Sequence, residues 1–183
     1  MDTLSDNALM LKVKDGDVEK MGLLFERYHK PLYGFFFHMT RQKETSDDLV
    51  QNVFFRMLKY RKNFAGTGQF KTWMYHLARN VLKDQLKKNS RTPVHSDVLN
   101  LEEKMESPLL TNTLLEKKQE LKTLEMAMSH LSEENRELLI LFRFQELSQR
   151  EIGRILEISE GAVKVRVHRA LNQLKTCYLK IAN

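Results

Sequence analysis

The sequence predicts an all-α protein of two helical domains joined by a flexible linker, the C-terminal one containing a helix-turn-helix. Three observations carry this expectation. Glycine and proline number only 7 and 3 in 183 residues, too few for a chain of many turns and short strands. Apolar residues recur at intervals of three and four through most of the chain, the period of an amphipathic helix. Hydroxyl and acidic residues stand just ahead of these runs, where helices are capped.

Ser5 can cap a short helix carrying Leu9, Met10 and Val13, and Asp15-Gly16-Asp17 reads as a stop and a restart. Met21, Leu24, Phe25 and Tyr28, then Leu32, Phe35, Phe36 and Met39, carry the next apolar face; Pro31 either kinks this stretch or opens a new helix. Thr45-Ser46-Asp47-Asp48 has the hydroxyls and first-turn acids of a helix start, followed by Leu49, Val50, Val53, Phe54, Met57 and Leu58. Residues 63–68 hold two glycines and read as a loop, and a further helix is expected from about Phe70 to Lys88. Ser90, Thr92, Pro93, Ser96, Ser107 and Pro108 then punctuate a polar stretch. The expected division is therefore a domain over 1–89, a linker over 90–113 and a second domain over 114–183.

In the second domain a helix is expected from near Leu114 to Ser129, and Ser132 caps another with Leu138, Leu139, Leu141 and Phe142. Ser148-Gln149-Arg150-Glu151 is a capping box that opens a short helix with Ile152, Ile155 and Leu156. Ser159 caps a final helix from Glu160 to about Leu179. The last two helices have the layout of a helix-turn-helix, and Gly153 lets the first pack closely on the second. At about 100° per residue, Val163, Val167, Ala170, Leu171 and Leu174 form one apolar face of the final helix. Lys164, Val165, His168, Arg169 and Asn172 lie opposite, with Arg166 at the flank. One face anchors the helix; the other presents donors to base edges in a major groove, or is simply a solvated basic face.

Composition agrees with a folded chain, 42% hydrophobic and 30% charged. The formal net charge of +6 suits a polyanionic partner, with nucleic acid the first candidate. One cysteine, Cys177, supports neither a disulfide nor a cysteine zinc site and reads as an ordinary helix residue. His29, His38, His76, His95, His130 and His168 show no ligand spacing, and no phosphate-binding glycine loop or nucleophile elbow occurs. The paired acids Asp47-Asp48 and Glu133-Glu134 sit at helix starts, where the dipole accounts for them. The expectation is a protein that is not an enzyme and uses no metal or cofactor. The N-terminus is acidic and polar, unlike a signal peptide, and no apolar run approaches the roughly 20 residues that span a bilayer. A cytoplasmic protein without direct membrane insertion is expected.

The stretches Leu131-Ser132-Glu133-Glu134-Asn135-Arg136-Glu137-Leu138-Leu139 and Glu151-Ile152-Gly153-Arg154 through His168-Arg169-Ala170 resemble region 4 of the extracytoplasmic-function (ECF) sigma factors of bacterial RNA polymerase. Asp47-Asp48-Leu49-Val50-Gln51-Asn52-Val53-Phe54 is similar to their region 2 polymerase-binding helix. Phe70-Lys71-Thr72-Trp73-Met74-Tyr75-His76-Leu77-Ala78-Arg79-Asn80 and the residues to Asp84 are similar to the promoter-melting helix that follows. The three matches keep the family's order.

The resemblance implies that the chain directs RNA polymerase core to promoter DNA. The helix from Asp47 would dock on the clamp helices of the polymerase largest subunit through Asp48, Gln51, Asn52 and Phe54, whereas Val53 and Met57 read as core. The 63–69 loop and the next helix would hold the −10 element. Phe64, Trp73 and Tyr75 would offer stacking, though Trp73 leans to core. Asn80 would be a polar contact, and Lys71, Arg79, Lys83, Lys87 and Lys88 would form a basic track. Lys164, Val165, His168 and Arg169 would face bases of the −35 element, with Arg166 on a phosphate. Family members are usually held inactive by an anti-sigma factor, often membrane-bound, so such a partner is implied. Two departures are visible. Val165 stands where a serine is common, and it can meet a thymine methyl but donate no hydrogen bond. Glu157 stands where a turn glycine is frequent. A stand-alone helix-turn-helix regulator and a helical adaptor for acidic proteins are the alternative readings; neither requires the aromatic, basic helix at 70–88.

Overall fold

The computed structural model describes residues 4–91, 112–145 and 147–182, and among them all regular structure is helical. The first half holds α1 (Asp6–Lys14), α2 (Met21–Thr40), α3 (Lys43–Lys59) and α4 (Phe70–Arg91). The second holds α5 (Asn112–Ser129), α6 (Glu133–Arg143), α7 (Gln149–Leu156) and α8 (Glu160–Ala182). Most of the linker expected over 90–113 lies outside the described residues.

The expected caps largely recur. Ser5 accepts from the Ala8 amide, Ser132 from Asn135 and Ser159 from Ala162. Ser148 and Glu151 form the reciprocal capping box. Each satisfies backbone N–H groups that a helix start otherwise leaves without partners. The start of α3 differs from expectation. The helix begins two residues before Thr45, with Gln42 at its N-cap. Thr45 instead donates to the Gln42 side chain at 2.7 Å and Ser46 to the Gln42 carbonyl at 2.6 Å. Pro31 neither ends nor restarts a helix: α2 runs through it. Gly16, with a φ of 114°, makes the turn after α1 that a side chain would strain.

In the first half, α2 packs on α3, α3 on α4 and α1 on α2; in the second, α8 is the central strut against α5, α6 and α7. Leu24, Leu32, Phe35, Phe36, Val53, Met57 and Met74 fill the first core, and Leu138, Ile140, Ile152, Ile155, Val163 and Ala170 the second. The halves are also in contact, α2 with α6 and α4 with α7, and their buried apolar residues form one contiguous cluster.

Candidate nucleic-acid interface

Three surfaces carry the residues singled out from the sequence. The first is on α3. Asp48, Gln51 and Asn52 are exposed and lie at helical spacing along one stripe. Phe54 corrects the expectation: it is 6% exposed and packs inward, its ring 4.9 Å from Phe25. The aromatic that completes the stripe is Phe55, 64% exposed. Its position is legible in the sequence, since 48, 51, 52 and 55 follow the i, i+3, i+4, i+7 rule, whereas Phe54 sits one residue off. Val53 and Met57 are fully buried. Asn52 accepts from Arg56 Nε at 3.0 Å, and Arg56 also pairs with Asp84 of α4 at 2.8 Å, tying the stripe to the next helix.

The second surface is the 63–69 loop and α4. Helix α1 shapes this loop. Asn7 Nδ2 donates to the Gly68 carbonyl at 2.8 Å, Asn7 Oδ1 accepts from the Phe70 amide at 2.7 Å, and Lys14 Nζ donates to the Phe64 carbonyl at 2.7 Å. Gly66 has a φ of 74° and lies against Leu11, so a side chain there would meet both strain and contact. Phe64 is buried against Phe70 and Trp73, its ring 5.2 Å from the indole. Trp73 is half-buried on the core, in line with the lean to core. Between loop and helix lies a cleft of about 380 Å³ lined by the loop, Thr72, Trp73, His76 and, from α7, Arg154. Its volume is in the range of small-ligand sites. The Thr72 hydroxyl is buried, with no hydrogen-bond partner among the described residues. Lys71 is half-buried, and Asn80, Lys83, Lys87 and Lys88 are exposed.

Two members of the expected −10 set are engaged elsewhere. Tyr75 is 2% exposed, with its hydroxyl donating to the Gln145 side chain just beyond α6. Burial holds that phenol well above its ordinary pKa. Arg79 is paired with Glu137 of α6 at 3.0 Å. Neither contact was foreseen, because sequence periodicity says which faces are buried and not which distant face covers them.

The third surface is α8. Gly153 of α7 has no room for a side chain: a Cβ would stand 2.8 Å from the Ile158 carbonyl. Glu157 ends α7 in the left-handed region, φ 59° and ψ 41°, so the turn keeps a glycine-like geometry without glycine. Val163, Val167 and Ala170 are buried, while Lys164, Val165, Arg166, His168 and Arg169 are all exposed. Leu171 departs from the expected face at 46% exposure; it lies about 80° from Val163 on the wheel, at the edge of the stripe.

The described residues thus form two helical modules: a helix-turn-helix with an exposed basic face, and a second bundle bearing a cleft, cations and a stripe of Asp48, Gln51, Asn52 and Phe55. The sigma-70 region 2 profile matches residues 24–92 and the sigma-70 region 4 profile residues 121–174, together well over half the chain. The ECF RNA polymerase sigma factor SigX of Bacillus subtilis is 29% identical over 86% of this chain and 82% of its own length. The ECF RNA polymerase sigma-E factor of Haemophilus influenzae is 27% identical over 94% of each. Among solved structures, CnrH in complex with the cytosolic domain of CnrY superposes with a TM-score of 0.72 at 20% identity, over 93% of this chain and 95% of that one. The sigma factor RpoE of Bartonella quintana, in complex with the anti-sigma factor NepR, gives a TM-score of 0.66 at 24% identity over 88% and 98%. The chain belongs to the sigma-70 family, in its extracytoplasmic-function group.

Proposed function

We propose that the two halves divide the work of a sigma factor: residues 1–89 bind the polymerase core and the −10 element, and residues 114–183 read the −35 element. The stripe of Asp48, Gln51, Asn52 and Phe55 docks on the polymerase. An exposed acid and two amides beside an aromatic suit a basic, partly apolar partner surface, with Phe55 in the place first given to Phe54. The cleft between the 63–69 loop and α4 receives an unstacked base. Trp73 and Phe64 supply aromatic walls, and the exposed cations of α4 track the phosphates. On α8, Lys164, His168 and Arg169 reach base edges, Val165 meets a thymine methyl, and Arg166 holds a phosphate.

Such a protein works as a binding factor rather than an enzyme, in the cytoplasm with the polymerase. Among the described residues no helix is long and apolar enough to cross a membrane. An anti-sigma factor is its expected regulator, a reading supported by the NepR complex of the Bartonella quintana sigma factor.

The observation that carries this proposal is the presence, in one chain, of a helix-turn-helix whose last helix exposes Lys164, Val165, Arg166, His168 and Arg169, and of an exposed stripe of Asp48, Gln51, Asn52 and Phe55. A stand-alone regulator needs the first and not the second. Binding of the labelled chain to bacterial core polymerase, followed by fluorescence anisotropy, tests it. The wild type is expected to bind, and Phe55→Ala to weaken binding about tenfold or more with helix content unchanged. A wild-type chain that does not bind core polymerase would overturn the proposal.

A further inference from the structure

We propose that α1 belongs to the −10-reading apparatus: Asn7 is a positioning residue that holds the 63–69 loop in the shape that receives a base, from behind the cleft and without touching DNA. This rests on the reading that the cleft between that loop and α4 takes an unstacked base of the −10 element.

The loop has little of its own to hold it. Residues 64–69 lie in no helix, two of them are glycines, and the turn at Gly66 is left-handed, with a φ of 74°. Among the described residues, the two loop carbonyls that accept a side-chain hydrogen bond, those of Phe64 and Gly68, both accept it from α1. Lys14 Nζ donates to the first at 2.7 Å and Asn7 Nδ2 to the second at 2.8 Å. The same Asn7 side chain accepts from the Phe70 amide through Oδ1 at 2.7 Å. Phe70 is the first residue of α4, so its N–H is one that a helix start leaves without an intrahelical partner. One planar amide, donor on one side and acceptor on the other, thus spans the junction of loop and helix. Leu11 makes a third contact: its side chain lies against Gly66, where a Cβ would come within 2.9 Å.

Helix α1 can serve as a splint because it is itself fixed. Leu9, Met10 and Val13 are fully buried. At its start, Asp6 accepts from the Tyr28 hydroxyl and from Arg27 Nη1, the latter at 2.7 Å. The Tyr28 ring lies 5.2 Å from Phe70, which lies 6.3 Å from Phe64 and 6.4 Å from Trp73. Anchors on α2 therefore reach the aromatic walls of the cleft by two routes, one through stacked rings and one through α1 and Asn7. Neither Asn7 nor Lys14 lines the cleft. Asn7 is uncharged, so it draws no phosphate to itself; it acts through the shape of the loop. A loop held in its binding shape spares the ordering cost of binding and keeps the cleft selective for the base that fits it.

The test uses Trp73, the single tryptophan of the chain, whose ring is 5.2 Å from Phe64. Acrylamide quenching of its fluorescence in the full chain reports whether the loop is held. Sequencing of transcripts made by the holoenzyme on pooled promoter fragments reports base preference at each position of the upstream elements. Two variants are compared with the wild type, Asn7→Ala and Asn7→Asp. The second keeps the acceptor for Phe70 and adds a first-turn carboxylate that favours the start of α1, but it sets an acceptor against the Gly68 carbonyl. Both are expected to raise the quenching constant about twofold or more at unchanged helix content, and to weaken base preference at one position of the nearer element about fivefold or more. The farther element should be read as in the wild type. Unchanged quenching in Asn7→Asp would mean that the loop does not depend on Asn7. A released loop with every preference intact would mean that loop shape does not set base choice, and a loss shared equally by both elements would mean that Asn7 serves only overall stability. Each of these overturns the proposal. A wild-type holoenzyme without discrete starts would instead strike the promoter reading, and the quenching would still decide whether α1 holds the loop.

Discussion

At Glu157 the backbone turns left-handed with a carboxylate side chain attached, and four residues earlier Gly153 sits under the carbonyl of Ile158. These two residues set the angle at which α7 delivers α8, and they respond to substitution in opposite directions. Glu157→Gly removes the steric cost of the left-handed conformation and is expected to stabilise the second half by about 0.5–1 kcal/mol. Gly153→Ala forces a methyl group to within contact of backbone oxygen and is expected to cost about 1–3 kcal/mol. Thermal unfolding followed by circular dichroism checks both; a lower Tm for Glu157→Gly would contradict this view of the turn. The pair Phe54 and Phe55 shows the same sensitivity. They are adjacent and chemically identical, yet one is core and the other is surface.

At the scale of helices, what could be read in the sequence follows from how local each signal is. The register of α8 was legible apart from Leu171. Its cap Ser159, its buried Val163, Val167 and Ala170, and its exposed Lys164, Val165, Arg166, His168 and Arg169 all depend on a period of 3.6. Errors fall at element edges. Leu171 lies at the margin of the apolar stripe, and α3 begins before its hydroxyl residues, since Thr45 and Ser46 bond back to Gln42 instead of capping the helix. The loop before α4 was recognised by its glycines. Its anchoring by Asn7 and Lys14 was not, since those partners lie 50 or more residues away in the chain. Tyr75 and Arg79 were expected on the −10 surface, as a stacking ring and part of the basic track. Their engagement with Gln145 and Glu137 is a tertiary fact with no local trace.

For the whole molecule, the two partly buried histidines between the halves couple titration to folding. His38 has its pKa lowered, first by burial and then by Arg41, with Glu125 opposing. His76 is lowered by burial, against a hydrogen bond to the Arg154 backbone and the charge of Glu157, with Arg79 adding to the depression. Both are depressed in the folded chain, so the unfolded chain binds more protons below about pH 6.5 and this part of the stability is lost as pH falls. Glu137 acts the other way: burial raises its pKa despite Arg79, so acid favours the folded form through this group at pH values nearer the carboxylate range. The thermal midpoint should therefore fall as pH drops from about 7.5 to about 6. The fall should be smaller when His38 and His76 are both replaced by Asn; an equal fall would exclude the histidines. The central claim, that this chain brings polymerase to promoters through two separated surfaces, is tested most directly by transcription in vitro. Bacterial core polymerase and the protein are supplied with pooled genomic promoter fragments, and the 5′ ends of the transcripts are sequenced. The account predicts discrete start sites that vanish without the protein and share two upstream elements, the farther one altered when Lys164 and Arg169 are changed to Ala. Core polymerase that binds the protein yet initiates no differently from core alone would contradict it.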